Sequence, residues 1–396
     1  MKDIIYLDNS ATTRICDEAL ATYTNVSLSQ FGNPSSLHAL GHEAERLIRG
    51  AKEQLRRAIG AVDGEIVFTA GGSEANNLAL LGRAYAKERY RRGAKILTSD
   101  GEHASVSEPL RRLADEGYRI VTIPTRGGIL DMDVLTRELT PDVILVSVMA
   151  VNNETGAVYD VGAVGAAVKA RCPEAILHVD ATQAFLKMPL SVSRMGVDLL
   201  TVSSHKIEGP KGVGALYVSR RVLTGKGLRP CILGGGQEDG LRSGTENVPA
   251  IAAFATACRL GHEALCERVR SLGELRSYFL ERLSATESLS AVRPNLPAVA
   301  APHIVNITLP AIKSEVMLHF LSERGIYVSS GSACSSHGKH GSPALLAFGL
   351  PASEADASLR ISFSHRNTRE QIDRLIDALA EGVGRLARVS RGGGRR

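Results

Sequence analysis

Seven short apolar runs between about residues 60 and 220 constrain the fold of this chain most strongly. Several are almost continuously apolar, as expected for strands that are covered on both faces of a parallel sheet. Between them, stretches such as Glu74–Arg92 and Ser105–Glu116 have the periodicity of helices. The pattern predicts an α/β fold with a mostly parallel, doubly wound sheet. The runs are EIVFT (65–69), AKILTS (94–99), YRIVTIP (118–124), VILVSVMAV (143–151), AILHVD (175–180), DLLTVSS (198–204) and GVGALYVS (212–219).

The alternation of short apolar runs with helical stretches changes after about residue 250. Long helical patterns at 250–284 and 368–388 flank short strands at HIVNITL (303–309) and GIYVS (325–329), which predicts a smaller α+β domain. A chain of 396 residues is also longer than one small core usually supports. We therefore expect a division into an N-terminal segment that packs with the small domain (1–15), a large domain (16–255), a small domain (256–388) and a basic disordered tail (389–396).

The net charge of +5 comes from the C-terminal end of the chain. Five arginines and no acid lie from residue 385 onward, at positions 385, 388, 391, 395 and 396, so residues 1–384 sum to zero. A solvated tail is the simpler interpretation, and a weak docking arm for RNA or an acidic protein is the alternative. Because the rest of the chain is neutral, we do not expect direct binding to nucleic acid.

Neither a membrane location nor a disulfide framework is indicated. The N-terminal apolar run, residues 4–7, is too short for a signal peptide, and no segment reaches the apolar length that spans a bilayer. The six cysteines, at 16, 172, 231, 258, 266 and 334, are scattered and form no CxxC pair. We expect a cytoplasmic protein without structural disulfides or a four-cysteine zinc site.

Small residues follow the first of the seven runs, in the sequence AGGSEANN. Gly72 and Ser73 stand where a strand passes into a helix, and backbone N–H groups at such a helix start bind phosphate well. A tight strand–helix turn with Ser73 as N-cap explains the same residues. The sequence leaves both interpretations open at this point.

Two later runs end in ionisable residues. Asp180 closes the run AILHVD and is followed by Gln183, and this carboxylate is either a helix N-cap or the partner of a protonated heterocyclic nitrogen. Lys206 follows DLLTVSSH, where partial desolvation would lower the pKa of its amine and suit it to bond covalently with a carbonyl cofactor. A lone lysine is more often simply a surface residue.

Polar residues at several strand ends make a stronger joint signal. His103 follows AKILTS, and Asn152 and Asn153 follow VILVSVMAV. Ligands of open α/β sheets bind beyond the carboxyl ends of the strands. Taken together, these positions offer a phosphate cradle, an aspartate, a ring-stacking group and a lysine, which is the set that pyridoxal phosphate requires.

The segment SSGSACSS places Cys334 among small polar residues that cannot form a core. This thiol could be a nucleophile, and with His337 and His340 it also has the spacing C-x2-H-x2-H of a metal ligand set. A fourth ligand is not evident, so we predict no metal site. A buried structural thiol does not fit the flanking glycine and serines.

The chain resembles the NifS-like cysteine desulfurases, which belong to the class-V aminotransferases among the fold-type I pyridoxal-phosphate enzymes. The matching motifs run in order along nearly the whole chain. They are YLDNSATT (6–13), FGNPSS (31–36), FTAGGSEANN (68–77), VNNETG (151–156), HVDATQ (178–183), SSHK (203–206), GPKGVGALY (209–217), RSGTEN (242–247), SSGSACSS (329–336) and LRISFS (359–364).

This resemblance implies a role for each predicted site residue. Lys206 would carry the cofactor, His103 would stack on its ring and Asp180 would hold the ring nitrogen. Arg360 would bind the substrate carboxylate, a task that suits a guanidinium. Other residues would surround the cofactor: Asn153 and Gln183 near its phenolic oxygen, Gly72, Ser73, Ser203 and His205 at its phosphate, and Thr245 at the phosphate in the neighbouring subunit of a homodimer.

The resemblance also implies the reaction. L-cysteine would become L-alanine, and the sulfur would pass to Cys334 as a persulfide and then to an acceptor protein, either an iron–sulfur scaffold or a tRNA sulfurtransferase. Another class-V enzyme, such as a selenocysteine lyase or a transaminase, and a non-catalytic sulfur-relay scaffold are the alternatives. Departures from the common pattern are Glu208 in HKIEGP, Ala150, and Ser73 in place of a threonine.

Overall fold

A sheet of seven strands forms the centre of the N-terminal two thirds of the chain. The computed structural model describes residues 4–91, 93–310, 312–330 and 342–392. The order β2-β8-β7-β6-β5-β3-β4 is parallel from β7 to β4, and β8 runs antiparallel to both of its neighbours. The predicted α/β class is thereby confirmed. The strands are β2 (Glu65–Thr69), β3 (Lys95–Ser99), β4 (Arg119–Ile123), β5 (Val143–Met149), β6 (Ile176–Asp180), β7 (Leu199–Ser203) and β8 (Gly214–Val218).

Helices cover both faces of this sheet, and strand residues alternate between the two cores. On β2, Ile66 and Phe68 belong to one hydrophobic cluster, whereas Val67 belongs to the cluster on the opposite face. Strands buried on both sides read as continuous apolar runs for this reason. The helices are α1 (Asp17–Ser29), α2 (Ala39–Ala58), α3 (Gly72–Ala84), α4 (Ala104–Asp115), α5 (Met132–Glu138), α6 (Val161–Arg171), α7 (Val192–Met195), α8 (Arg220–Thr224) and α9 (Val248–Glu263).

A second, antiparallel sheet of order β12-β13-β10-β9 lies in the C-terminal third. Its strands are β9 (Arg293–Pro294), β10 (Ile304–Thr308), β12 (Ser329–Ser330) and β13 (Ser358–Ser362). The N-terminal strand β1 (Ile5–Tyr6) pairs in parallel with β11 (Ile326–Tyr327), and Ile5 and Leu7 join the hydrophobic cluster of this part of the chain. The helices here are α10 (Leu265–Ala285), α11 (Ser314–Ser322), α12 (Pro343–Phe348), α13 (Ala352–Ala355) and α14 (Arg369–Gly392).

Three predicted helix boundaries are wrong. The helix predicted to reach residue 92 ends at Ala84, whose carbonyl accepts a hydrogen bond from the Tyr118 hydroxyl at 2.8 Å. The pattern at 250–284 forms two helices that meet at Ala264. Helix α14 continues to Gly392, four residues into the predicted tail, because the leucine, alanine and arginine residues near its end favour helix.

The carboxyl ends of the parallel strands meet at one edge of the large sheet. Strands β3, β5, β6 and β7 run in the same direction, so the residues that follow them are neighbours at that edge. Residues 8–13 lie against the same edge, since the Thr13 N–H donates to the His205 carbonyl at 2.8 Å. Among the described helices, none is long and apolar enough to cross a membrane.

The core between the large sheet and α9 depends on Phe254. This side chain is 0% exposed and packs edge-to-face on Phe68 and Phe185, at ring separations of 6.5 and 6.4 Å. We expect Phe254→Ala to lower the free energy of unfolding by about 3–5 kcal/mol, since it leaves a cavity that the sheet cannot fill. Urea unfolding measures the change.

Val62→Ala is the control for this substitution. Val62 is 81% exposed, and truncation there should change the free energy of unfolding by less than about 0.5 kcal/mol. Equal losses in the two variants would contradict the assignment of Phe254 to a well-packed core.

Candidate active site

A cavity of about 450 Å³ opens at the carboxyl edge of the large sheet. Residues from both sheets and from the N-terminal segment line it. They are Asp8, Ser10, Ala11, Gly72, Ser73, His103, Ser105, Met149, Val151, Asn153, Asp180, Thr182, Gln183, Ser203, His205, Lys206, Ser329 and Arg360. Apart from Thr245 and Cys334, the structure brings every predicted site residue together in this cavity.

Lys206 stands on the single helical turn Ser204–Lys206 that follows β7. Its Nζ donates hydrogen bonds to the carbonyl oxygens of Ser10 and Ala11, at 2.6 and 2.7 Å. The amine is therefore fixed at the cavity wall by backbone acceptors from the N-terminal segment.

Asp180 ends β6 at the base of the cavity. One carboxylate oxygen accepts a hydrogen bond from Asn76 Nδ2 at 2.8 Å, and the other accepts the Thr182 N–H at 2.9 Å. These donors satisfy both carboxylate oxygens in a buried position. The helix N-cap alternative is wrong, since the chain forms turns after β6 and the next helix begins at Val192. Asp180 instead bonds the turn after β6 and faces the cavity.

His103 precedes α4 and its ring lines the cavity. The Ser105 N–H donates to His103 Nδ1 at 3.1 Å, which assigns the ring proton to Nε2. Burial lowers the pKa of His103, the nearby Asp180 charge raises it and Lys206 lowers it further. His103 is consequently a neutral imidazole at neutral pH.

The start of α3 provides the features of a phosphate site. Gly72 is the first helical residue, and a neighbouring groove of about 620 Å³ is shared by Gly72, Ser73, Ser203 and His205. The buried Ser203 Oγ has no hydrogen-bond partner among the described residues, as expected for a hydroxyl that bonds a ligand. Backbone N–H groups at the helix start favour an anion at this place.

His205 lines the same end of the cavity, and its Nδ1 is 3.1 Å from the Thr12 hydroxyl. Burial is the main cause that lowers its pKa to about 4, and the positive charges of Lys206 and Lys211 lower it as well. A neutral imidazole binds phosphate through a hydrogen bond and not through charge.

Arg360 on β13 closes the opposite side of the cavity and is 6% exposed. One terminal nitrogen donates to Asp8 Oδ1 at 2.7 Å and the other donates to the Asn153 carbonyl at 2.9 Å. Its buried Nε has no partner within the described part of the chain. Two of its five N–H groups thus hold the guanidinium in place, and the Nε–H is among those left without a described partner.

The other predicted residues take different positions. The Gln183 side chain donates to the Ser10 carbonyl at 2.9 Å, and the half-buried Asn153 meets Arg360 through its backbone. Thr245 is exposed and does not line the cavity of its own protomer. Cys334 lies outside the described residues.

The predicted cysteine loop, about residues 329–343, begins in β12 and ends at the N-terminus of α12. His337 and His340 lie with Cys334 outside the described residues, so their C-x2-H-x2-H alternative is untested. Elsewhere, in the part of the chain that the structure describes, no group of three or more His, Cys, Asp or Glu residues is placed to hold a metal ion.

Sequence reasoning missed several residues of the site. Asp8 orients Arg360, Asn76 bonds Asp180, and the buried Glu102 accepts the Met149 N–H at 2.8 Å. Burial raises the pKa of Glu102 to about 8. The position of Asn76 could have been noticed in the sequence, because it is a polar residue on a helix rich in alanine and leucine. The pairing of Asp8 with Arg360 could not, because the two residues are 352 positions apart.

Comparison with known sequences agrees with this geometry. The profile of the family described as "Aminotransferase class-V" matches residues 5–375. The chain belongs to this family. Class-V aminotransferases use pyridoxal phosphate, and pyridoxal phosphate is the cofactor of this protein. The unpartnered Ser203 hydroxyl, the start of α3, Asp180 and Lys206 fit the phosphate, the ring nitrogen and the aldehyde of that cofactor.

The chain is also similar to several characterised class-V proteins. A protein named "Cysteine desulfurase" from Trichormus azollae is 38% identical over 392 residues, which are 98% of this chain and 94% of the relative. A solved structure titled "NIFS-LIKE PROTEIN" matches with a TM-score of 0.88 and 33% identity, over 96% of this chain and 99% of that one. A structure titled "SspA in complex with cysteine" matches with a TM-score of 0.78 and 30% identity, over 92% and 100% of the chains.

Removal of the lysine charge and removal of the aspartate charge should shift the pKa of His103 in opposite directions. We expect Lys206→Ala to raise the pKa of both His103 and His205, because the lysine charge lowers both. Asp180→Asn should lower the pKa of His103 further, because the aspartate charge raises it. NMR titration of the imidazole resonances in cofactor-free protein measures these changes.

Asp198→Asn is the control for this experiment, since Asp198 is paired with Arg221 at the other end of β7. It should leave the His103 titration unchanged. A shift of the same sign in Lys206→Ala and Asp180→Asn would contradict the geometry described above.

Proposed function

We propose that this protein is a cysteine desulfurase that converts L-cysteine to L-alanine and retains the sulfur on the enzyme. The observation that carries the proposal is the position of Arg360, whose Nε lacks a described partner, across one cavity from Lys206 and Asp180. A small amino acid bound there would meet a cation for its carboxylate and a lysine at its other end. The names of the relatives support the same substrate.

Arg360 would bind and orient the substrate carboxylate. Asp8 and the Asn153 carbonyl hold the guanidinium plane in place, so that substrate binding need not order a long side chain. A planar guanidinium recognises a carboxylate through parallel hydrogen bonds. The substrate's α-carbon is thereby directed toward the amine of Lys206.

Lys206 would move the α-proton of the substrate once its amine is released. When bound, pyridoxal phosphate withdraws electrons from the α-carbon and makes the substrate's Cβ–S bond cleavable. His103 and Asp180 both line the cavity, where His103 would limit the position of the cofactor ring and Asp180 would hold its nitrogen. The Ser10 and Ala11 carbonyls are the acceptors to which the lysine ammonium returns.

Cys334 would take the sulfur. Its thiolate attacks the substrate sulfur, so that an S–S bond forms and the Cβ–S bond breaks. The electron pair of the broken bond remains with the carbon, which a proton converts to the methyl group of alanine. A thiol of an acceptor protein then removes the outer sulfur by exchange. In this proposal, residues 256–388 form a small domain that carries both Arg360 and Cys334.

Incubation with L-cysteine and a thiol, followed by assays of alanine and sulfide, tests the proposal. We expect the wild-type protein to produce both. Lys206→Ala should lose activity by at least about 10²–10⁴-fold because it removes the proton-transfer group. Cys334→Ala should carry no persulfide, and mass spectrometry of the protein should show one added sulfur atom in the wild type but not in Cys334→Ala.

Cys231→Ala and Cys266→Ala are matched controls, because these two free cysteines are exposed. Both should retain activity and the persulfide. Full persulfide transfer by Cys334→Ala would contradict the assignment of the nucleophile. Turnover of a different amino acid that is independent of Cys334 would favour a lyase or transaminase instead, and protein without cofactor absorbance would favour a relay scaffold.

We also propose that the active unit is a homodimer. Large apolar side chains are exposed on and near α1 and α2, among them Leu28, Phe31 and Leu37, and Leu233 is exposed on a loop near Thr245 in sequence. A surface of this kind is typical of a protein contact. A second protomer seated there would bring its Thr245 to the phosphate end of the cavity.

Mixed dimers test this arrangement. Thr245→Val should weaken cofactor binding in a homodimer, because it removes a hydroxyl from the phosphate site. When Thr245→Val and Lys206→Ala chains are combined, the Thr245→Val subunit receives an intact Thr245 from its partner. We therefore expect the mixture to regain activity that neither variant has alone. A monomer in sedimentation, or no recovery in the mixture, would contradict the proposal.

A further inference from the structure

Glu208 is a buried carboxylate that the mechanism above does not use. It lies two residues after Lys206, is 7% exposed and faces a small cavity beside the active site. Arg366 Nε lies 3.1 Å from one carboxylate oxygen and Arg268 lies 3.5 Å from the other. His365 Nδ1 is 3.8 Å away. Glu208 therefore joins the turn after β7 to α10 and to the loop that follows β13.

The backbone of Glu208 is held in an unfavourable conformation. Its φ angle is +66°, in the left-handed region that residues other than glycine rarely adopt. The Glu208 N–H donates to Thr13 Oγ1 at 2.8 Å, and its carbonyl accepts the Cys16 N–H at 2.9 Å. Conformations of this kind persist only where the surroundings determine them, and here those surroundings are the N-terminal segment and the ion pairs.

Inside the small cavity, positive charge exceeds negative charge. Glu208 is the one acid among the described residues that line the small cavity, where it faces Lys187, Arg268 and His365. The partly exposed Arg366 borders an adjoining groove, in which Arg268, His365 and the Cys16 thiol are accompanied by three acids, Glu18, Glu263 and Glu267. Burial lowers the pKa of Lys187 to about 8, and Glu208 opposes that effect. Without Glu208, the cations on these elements would repel one another in a poorly solvated place.

We propose that Glu208 is a positioning residue for Lys206. Its carboxylate, held by Arg366 and Arg268, fixes the strained turn that presents the lysine amine to the cavity. Because β13 carries Arg360 and the loop after it carries Arg366, the same ion pairs fix the lysine relative to the proposed substrate-binding arginine. The inference rests on the proposed function, in which Lys206 bonds the cofactor.

Glu208→Gln and Glu208→Gly, each studied as the holoenzyme, separate this role from a merely structural one. Both variants remove the carboxylate, but glycine adopts a φ of +66° without strain and should fold at least as readily as glutamine. One readout is the midpoint pH of the visible absorbance of the lysine-bound cofactor. The others are kcat and KM for L-cysteine.

We expect both variants to lower the midpoint by about one pH unit, since the unbalanced cations disfavour the protonated form of the lysine–cofactor bond. The value of kcat should fall by about 10- to 100-fold as the lysine loses its alignment, while KM stays close to the wild-type value. Arg366→Gln alone should raise the midpoint, because it removes a cation and leaves the Glu208 charge in place. Combined with Glu208→Gln, it should return the midpoint toward the wild-type value, because the pair is then removed as a whole.

Asp198→Asn is again the matched control: it breaks the ion pair between the buried Asp198, just before β7, and the half-exposed Arg221, and should leave the midpoint unchanged. A wild-type midpoint in Glu208→Gly would overturn the inference, as would a lowered midpoint in Arg366→Gln or an equal shift in Asp198→Asn. Wild-type protein that binds cofactor but does not release alanine and sulfide would overturn the proposed function and leave the midpoint comparison valid.

Discussion

The hydrogen bonds from Lys206 to the Ser10 and Ala11 carbonyls join the N-terminal segment to the large sheet. A partly buried ammonium must find acceptors, and here they come from backbone that belongs to neither sheet. The same segment bonds to the C-terminal sheet, because the Ser10 N–H donates to Ser362 Oγ at 2.8 Å and Asp8 pairs with Arg360. Residues 8–13 therefore fix the distance between the lysine and the arginine that face each other across the cavity.

The parallel sheet explains why the other site residues lie at this edge. His103, Asp180 and Lys206 follow β3, β6 and β7, and parallel strands place their carboxyl ends side by side. A charge at such a position needs partners. Asp180 has two N–H donors, one of them from Asn76 on α3, so the helix whose start is the proposed phosphate site also stabilises this aspartate.

The large sheet and most of the cavity could be predicted from the sequence. All seven apolar runs became strands, because residues buried on both faces leave a continuous apolar signal. The antiparallel direction of β8 and the position of β4 at the sheet edge could not be read from periodicity, since both depend on the crossover connections. The pairing of Asp8 with Arg360 and the cation cluster at Glu208 were equally hidden, because both join residues distant in sequence.

The charges that line the cavity nearly cancel. Lys206 and Arg360 oppose Asp8 and Asp180, and burial keeps His103 and His205 neutral by lowering the pKa of each. A phosphate and a substrate carboxylate would therefore add negative charge to a site with no surplus of cations. Lys211 in the adjoining groove is one compensating charge. The rest of the stabilisation of these bound anions must come from hydrogen bonds. The N–H groups at the start of α3 and the Ser203 hydroxyl are placed to donate them. In the proposed site, phosphate binding would thus depend on the direction of fixed donors, and a displaced backbone at Gly72 would weaken it more than the loss of a surface charge.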